Sequence, residues 1–79
     1  MKFYGYSKKT HGHGLHEMKE VTISANPDAL KELARFILKC ADEIESNNTQ
    51  FNHDHFQPKD IKVGKDTPEF IISNPRAKF

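Results

Sequence analysis

The chain has 79 residues, twelve basic and eleven acidic side chains for a formal net charge of +1, and a single cysteine. A domain this short leaves no room for a second core and buries only about 60–65% of the surface its unfolded form exposes, so it works through its surface rather than through a deep pocket. The near-neutral balance argues against a dedicated nucleic-acid binder, which gathers positive charge on one face; here Lys8-Lys9 and the Arg76–Lys78 tail are the basic clusters, both at edges.

Lys2-Phe3-Tyr4-Gly5-Tyr6 is aromatic-rich and reads as a first strand, with Phe3 on one face and Tyr4 and Tyr6 on the other. Gly5 falls on the Phe3 side and leaves a gap there for something bulky. Ser7 to Gly14 reads as a loop, and Leu15 to Ser24 as a second strand. In that strand Met18 is out of phase with Val21 unless a one-residue bulge near Lys19-Glu20 brings both to one face.

The clearest element is an amphipathic helix from about Pro27 to Ser46. Asn26 is a good N-cap, Pro27 suits the first helical position, and Asp28 places negative charge at the positive end of the macrodipole. Leu30, Leu33, Ala34, Ile37, Leu38, Ala41 and Ile44 recur at helical spacing as the predicted buried stripe, widened by Phe36 and Cys40. On the polar side Glu32–Arg35 and Lys39–Glu43 are spaced to pair, and Asn47 can take the left-handed position that ends the helix.

After the helix, Phe51 and Phe56 are expected to tuck against the helix end or a sheet edge, and Ile61 with Val63 to make a short extended piece. So long a connection calls for some local turn or edge strand. Glu69 to Ser73 is the last strand, closed by Asn74-Pro75. The expected fold is a single α+β domain of order β-β-α-β, one long helix on one face of a small, mostly antiparallel sheet of three or four strands. A right-handed crossover would set the last strand parallel to the second, in spatial order 2-1-3 or, as the alternative, 1-2-3.

One helix covers one face. Phe3, Met18, Val21, Ile23, Phe70 and Ile72 are expected beneath it, leaving Tyr4, Tyr6, Thr22 and Ile71 on the open side. Tyrosine suits a surface that a partner grips, because the ring supplies apolar area and the hydroxyl tolerates water. Exposed tyrosines also occur on strands simply for their propensity, so the pattern alone does not separate the two readings.

Five histidines invite a metal reading: His11, His13 and His16 in the first half, His53 and His55 in the second. Zinc requires three or four converging ligands, and none of the spacings matches a metal motif. His11, His13, His53 and His55 are the candidate ligands, with Asp54 or Asp60 as oxygen donors; the plainer account is polar loop groups. Cys40 lies mid-helix, away from the N-terminal amides that would activate a thiol, and Asp42-Glu43 sits on the solvated face. No Gly-rich phosphate loop follows a strand. No catalytic residue and no cofactor is expected. Without a paired cysteine, a basic-then-apolar leader or an apolar run beyond triplets such as Phe36-Ile37-Leu38, the expectation is a cytoplasmic protein with no membrane partner.

As a whole the sequence resembles a family of small bacterial proteins. The resemblance is carried by the opening Met1–Tyr6, by Glu20-Val21-Thr22-Ile23-Ser24-Ala25-Asn26-Pro27 leading into Leu30, Leu33, Ala34 and Phe36 to Glu43, by Phe51-x-His53-x-His55-Phe56, and by Glu69–Pro75. The family is immunity protein 32, attached to bacterial polymorphic toxin systems. The resemblance implies a non-catalytic cytoplasmic protein that binds a cognate protein toxin and neutralises it, and brings no active-site motif. Tyr4, Tyr6, Thr22, Ile71, His53 and His55 are the candidate partner-binding residues. The rival readings are a homodimer associating through the open sheet face and a His-dependent metal-binding module.

Overall fold

A computed structural model describes residues 1–10, 15–46, 50–59, 65 and 67–75. The elements run β1 (Lys2–Thr10), β2 (His16–Ser24), α1 (Pro27–Ser46), β3 (His53–His55) and β4 (Ile71–Ser73). This is the α+β class, with one helix and antiparallel strands. Asn47, Ile61 and Val63, for which a helix end and an extended piece were expected, lie outside the described residues.

β1 and β2 form an antiparallel hairpin in which Phe3 faces Ile23, Tyr4 faces Thr22, Gly5 faces Val21 and Tyr6 faces Glu20. Ser7 then faces Met18, so β2 spends one extra residue, Lys19, at the predicted bulge. A second irregularity follows at once: Lys9 faces Glu17, leaving Lys8 as the extra residue on β1. The two offsets cancel, and the ladder runs on to Thr10 facing His16. The strand thus continues through a segment expected to be loop, helped by the Lys8–Glu17 ion pair at 3.7 Å.

The helix starts as its cap dictates. Asn26 Oδ1 accepts the Ala29 N–H at 2.8 Å while the Asn26 carbonyl accepts the first helical bond, from Leu30 N–H at 3.0 Å. The helix then keeps the predicted bounds, Pro27–Ser46.

The sheet arrangement differs from the expected single sheet of three strands. β4 pairs antiparallel with β3, not with β1, so the strands form two separate two-stranded sheets. The reason is local satisfaction of the backbone. Phe56 N–H donates to the Phe70 carbonyl at 2.8 Å at one end of β3, and Asn74 N–H donates to the Asn52 carbonyl at 2.8 Å at the other. The Asn74 side chain, 1% exposed, adds a bond from Nδ2 to the Phe51 carbonyl at 3.0 Å. β3 takes one edge of the last strand, and among the described residues no strand pairs with the other. Its approach still passes the first strand, because the Phe3 and Phe70 rings meet at 5.2 Å.

The core is small and aromatic. Among the described residues Ala29, Leu33, Cys40 and Phe56 are the buried apolar ones, and the half-buried Phe36 sets its ring 5.3 Å from Phe56 and 6.5 Å from Phe70. The helix therefore turns the Ala29–Leu33–Phe36–Cys40 side toward the β3–β4 sheet. Leu30, Ala34, Ile37, Leu38 and Ala41, predicted for the buried stripe, are exposed. So are Met18, Val21 and Ile23, expected beneath the helix. Packing with Phe56 and Phe70 turns the helix toward β3, which leaves these residues of its other flank and of the hairpin exposed while Phe3 stays half-buried beside Phe70.

Candidate functional site

Strand alternation sends Tyr4 and Tyr6 to the hairpin face opposite Phe3. They are 59% and 69% exposed and stand across from Thr22 and Glu20. With the Gly5 backbone these residues line an open groove of about 490 Å3. Among the described residues nothing from the 51–59 segment lines it. Glu20 is the member that sequence reading missed, although alternation from Thr22 puts it on the same face, beside Tyr6 in the regular part of the ladder.

The second patch lies on the other sheet. His53 pairs with Ser73, Asp54 with Ile72 and His55 with Ile71. Asp54 turns toward the helix, its carboxylate 3.8 Å from Lys39 Nζ, so alternation turns His53 and His55 the other way, with Ile71 exposed alongside. The two histidine rings meet edge-on at 5.2 Å. His55 Nδ1 lies 2.7 Å from Glu69 Oε2, and its backbone N–H donates to Asp54 Oδ1 at 2.9 Å. The six candidate binding residues thus fall into two groups carried by separate sheets: Tyr4, Tyr6 and Thr22 in one, His53, His55 and Ile71 in the other.

A third feature is an open cleft of about 450 Å3 between the helix and β3, floored by Phe36 and Phe56 and walled by charged groups. Lys39 bridges Glu43 at 3.7 Å and Asp54 at 3.8 Å, which realises one of the two predicted helical ion pairs. The other is displaced. The Glu32 carboxylate instead accepts the Lys59 backbone N–H, at 3.0 and 3.2 Å from its two oxygens, tying the chain after β3 to the helix. A carboxylate that satisfies an orphan backbone donor gains a charge-assisted bond that a solvated i, i+3 pair does not offer.

Cys40 is fully buried. Burial pushes its thiol above the ordinary value, the nearby Asp54 and Glu43 carboxylates push the same way, and Lys39 opposes them. It is a core residue holding its proton. Among the described residues no group of three or more His, Cys, Asp or Glu side chains is arranged to hold a metal ion. His11 and His13 lie outside those residues. No helix of the described chain is long and apolar enough to cross a membrane.

The arrangement is that of a small α+β domain that presents open faces and open clefts. The family model described as immunity protein 32 matches residues 20–75, from the bulge in β2 to the turn after β4, and the chain belongs to that family. The match covers the helix, its cap and the whole β3–β4 unit, and it assigns the chain a role in toxin immunity. No curated protein and no solved structure matches the chain.

Proposed function

We propose that this protein neutralises a cognate protein toxin of a bacterial polymorphic toxin system by binding it stoichiometrically in the cytoplasm, without catalysis of its own. Family membership supports the toxin-immunity part of this reading. The observation that carries the binding part is the pair of well-exposed tyrosines, Tyr4 and Tyr6, side by side on the outer face of the hairpin around an open groove. Tyrosine is among the residues that dominate interface energies, because a rigid ring covers much apolar area at small entropic cost. Thr22 and Glu20 border the rings and supply polar groups to a partner.

A tight inhibitory complex buries about 1,200–2,000 Å2 in total, roughly half of it on each partner. The balanced charge of the chain does not select a basic toxin over an acidic one. The test is a native pull-down from the source bacterium, followed by mixing this protein with the toxin so recovered. A complex with equal numbers of the two chains and loss of toxicity supports the reading; recovery of the toxin's activity undiminished at saturating protein contradicts it.

A further inference from the structure

Tyr4 and Tyr6 sit two residues apart on one strand, so their side chains leave the same face about 6.6–6.8 Å from one another. That is close to two carbon–carbon contact distances of about 3.5 Å, which leaves room for one flat group between the two rings. The Gly5 backbone lies between them in the lining of the groove. Among the described residues neither tyrosine ring meets another ring.

Glu20 gives this groove a charge. It stands directly across from Tyr6, lines the same groove and is exposed. Among the described residues it forms no ion pair, whereas Glu17 on the same strand meets Lys8 at 3.7 Å. Lys2 also lies on this face, across from Ser24, but at the far end of the ladder from Tyr6. The strand between them spans about 13 Å, beyond the screening length of about 8 Å at physiological salt. Lys19, the extra residue of the bulge, does not line the groove. A partner that covers the two rings therefore covers Glu20 as well, and a covered carboxylate is costly unless a cation meets it. An arginine answers both features: its planar guanidinium stacks on aromatic faces while its N–H fork binds a carboxylate, which the point charge of a lysine does less well. The groove is open, so a free small molecule would keep much of its surface in water, whereas a side chain carried on a partner is closed in by the partner's own surface.

We propose that the Tyr4–Tyr6–Glu20 groove receives an arginine side chain from the surface of the protein partner, its guanidinium stacked on the rings and its N–H groups donating to the Glu20 carboxylate. The inference deepens the toxin-binding reading and rests on it for the partner, while the chemistry of the groove is tested without one. The full chain is titrated with N-acetyl-arginine amide and, separately, with its uncharged citrulline counterpart, and is followed by NMR at the tyrosine ring protons. The arginine compound should give saturable shifts at Tyr4 and Tyr6, and the citrulline compound none. Glu20→Gln, at an exposed position, should keep the fold and weaken the arginine compound roughly threefold. With the recovered toxin, Glu20→Lys should raise Kd roughly tenfold or more, a loss that shrinks as salt rises. Equal shifts with the two compounds, or no saturable shift with either, overturn the arginine assignment. So does a toxin that loses affinity for the Tyr4→Ala and Tyr6→Ala variants but ignores Glu20→Lys, a result that leaves the toxin-binding reading standing. A toxin indifferent to the tyrosine variants contradicts that reading of the face, and the inference falls with it.

Discussion

Met18 lays its terminal methyl over Gly5: a β-carbon built on Gly5 would stand 2.5 Å from that methyl and 2.5 Å from the Glu20 carbonyl oxygen. The bulge at Lys19 brings both neighbours this close, by turning Met18 onto the face of Gly5 and drawing the β2 backbone inward.

Gly5→Ala therefore forces the strands apart. The methionine can swing away, but the carbonyl belongs to the β2 backbone. The expected loss is about 1–3 kcal/mol, the usual cost of overpacking. Chemical denaturation of the variant checks it, and the slope of the transition should be unchanged.

Asn26→Ala removes the acceptor of the Ala29 N–H at the start of the helix. Loss of such a cap costs about 1 kcal/mol, whereas Asn26→Asp should be nearly neutral because it keeps the oxygen. Melting temperatures of the two variants separate capping from packing.

Asn74→Ala leaves the Phe51 carbonyl without its Nδ2 donor in a buried setting. About 1–3 kcal/mol of destabilisation is expected, confined at first to the β3–β4 unit. Amide exchange should show faster opening at His53 to His55 than along the hairpin.

The Cys40 thiol is raised above 9.0 in the folded chain and returns to it on unfolding. Its proton is then held more tightly in the native state, so its stabilising contribution is complete below pH 9.0 and is lost as pH rises through the folded value. Cys40→Ser should flatten this alkaline decline. At neutral pH a thiol reagent should react at the rate of unfolding, since the sulfur is fully buried.

The helix was legible to its ends because cap, proline and periodicity all point the same way, and the bulge because Met18 and Val21 are large residues whose phase conflict has one simple cure. The second sheet was not. His53-Asp54-His55 has no apolar alternation and low strand propensity, and it becomes a strand only through the bonds that Phe70 and Asn74 make at its two ends. The helix's buried side was only partly legible: the periodic apolar arc holds both the buried Leu33 and Cys40 and the exposed Leu30, Ile37 and Leu38, and nothing in the spacing says which of them the fold covers. Of the candidate site, the outward turn of Tyr4 and Tyr6 followed from alternation, while the contact of His55 with Glu69 depends on a fold-back that no local pattern records.

The most direct test of the toxin-binding account is the affinity of the recovered toxin for Tyr4→Ala and Tyr6→Ala variants, measured by calorimetry on folded protein. The account predicts a loss of about 2 kcal/mol or more for at least one of them, roughly thirtyfold in Kd, since both rings stand clear of this chain's own core. Unaltered affinity in the double variant would contradict it.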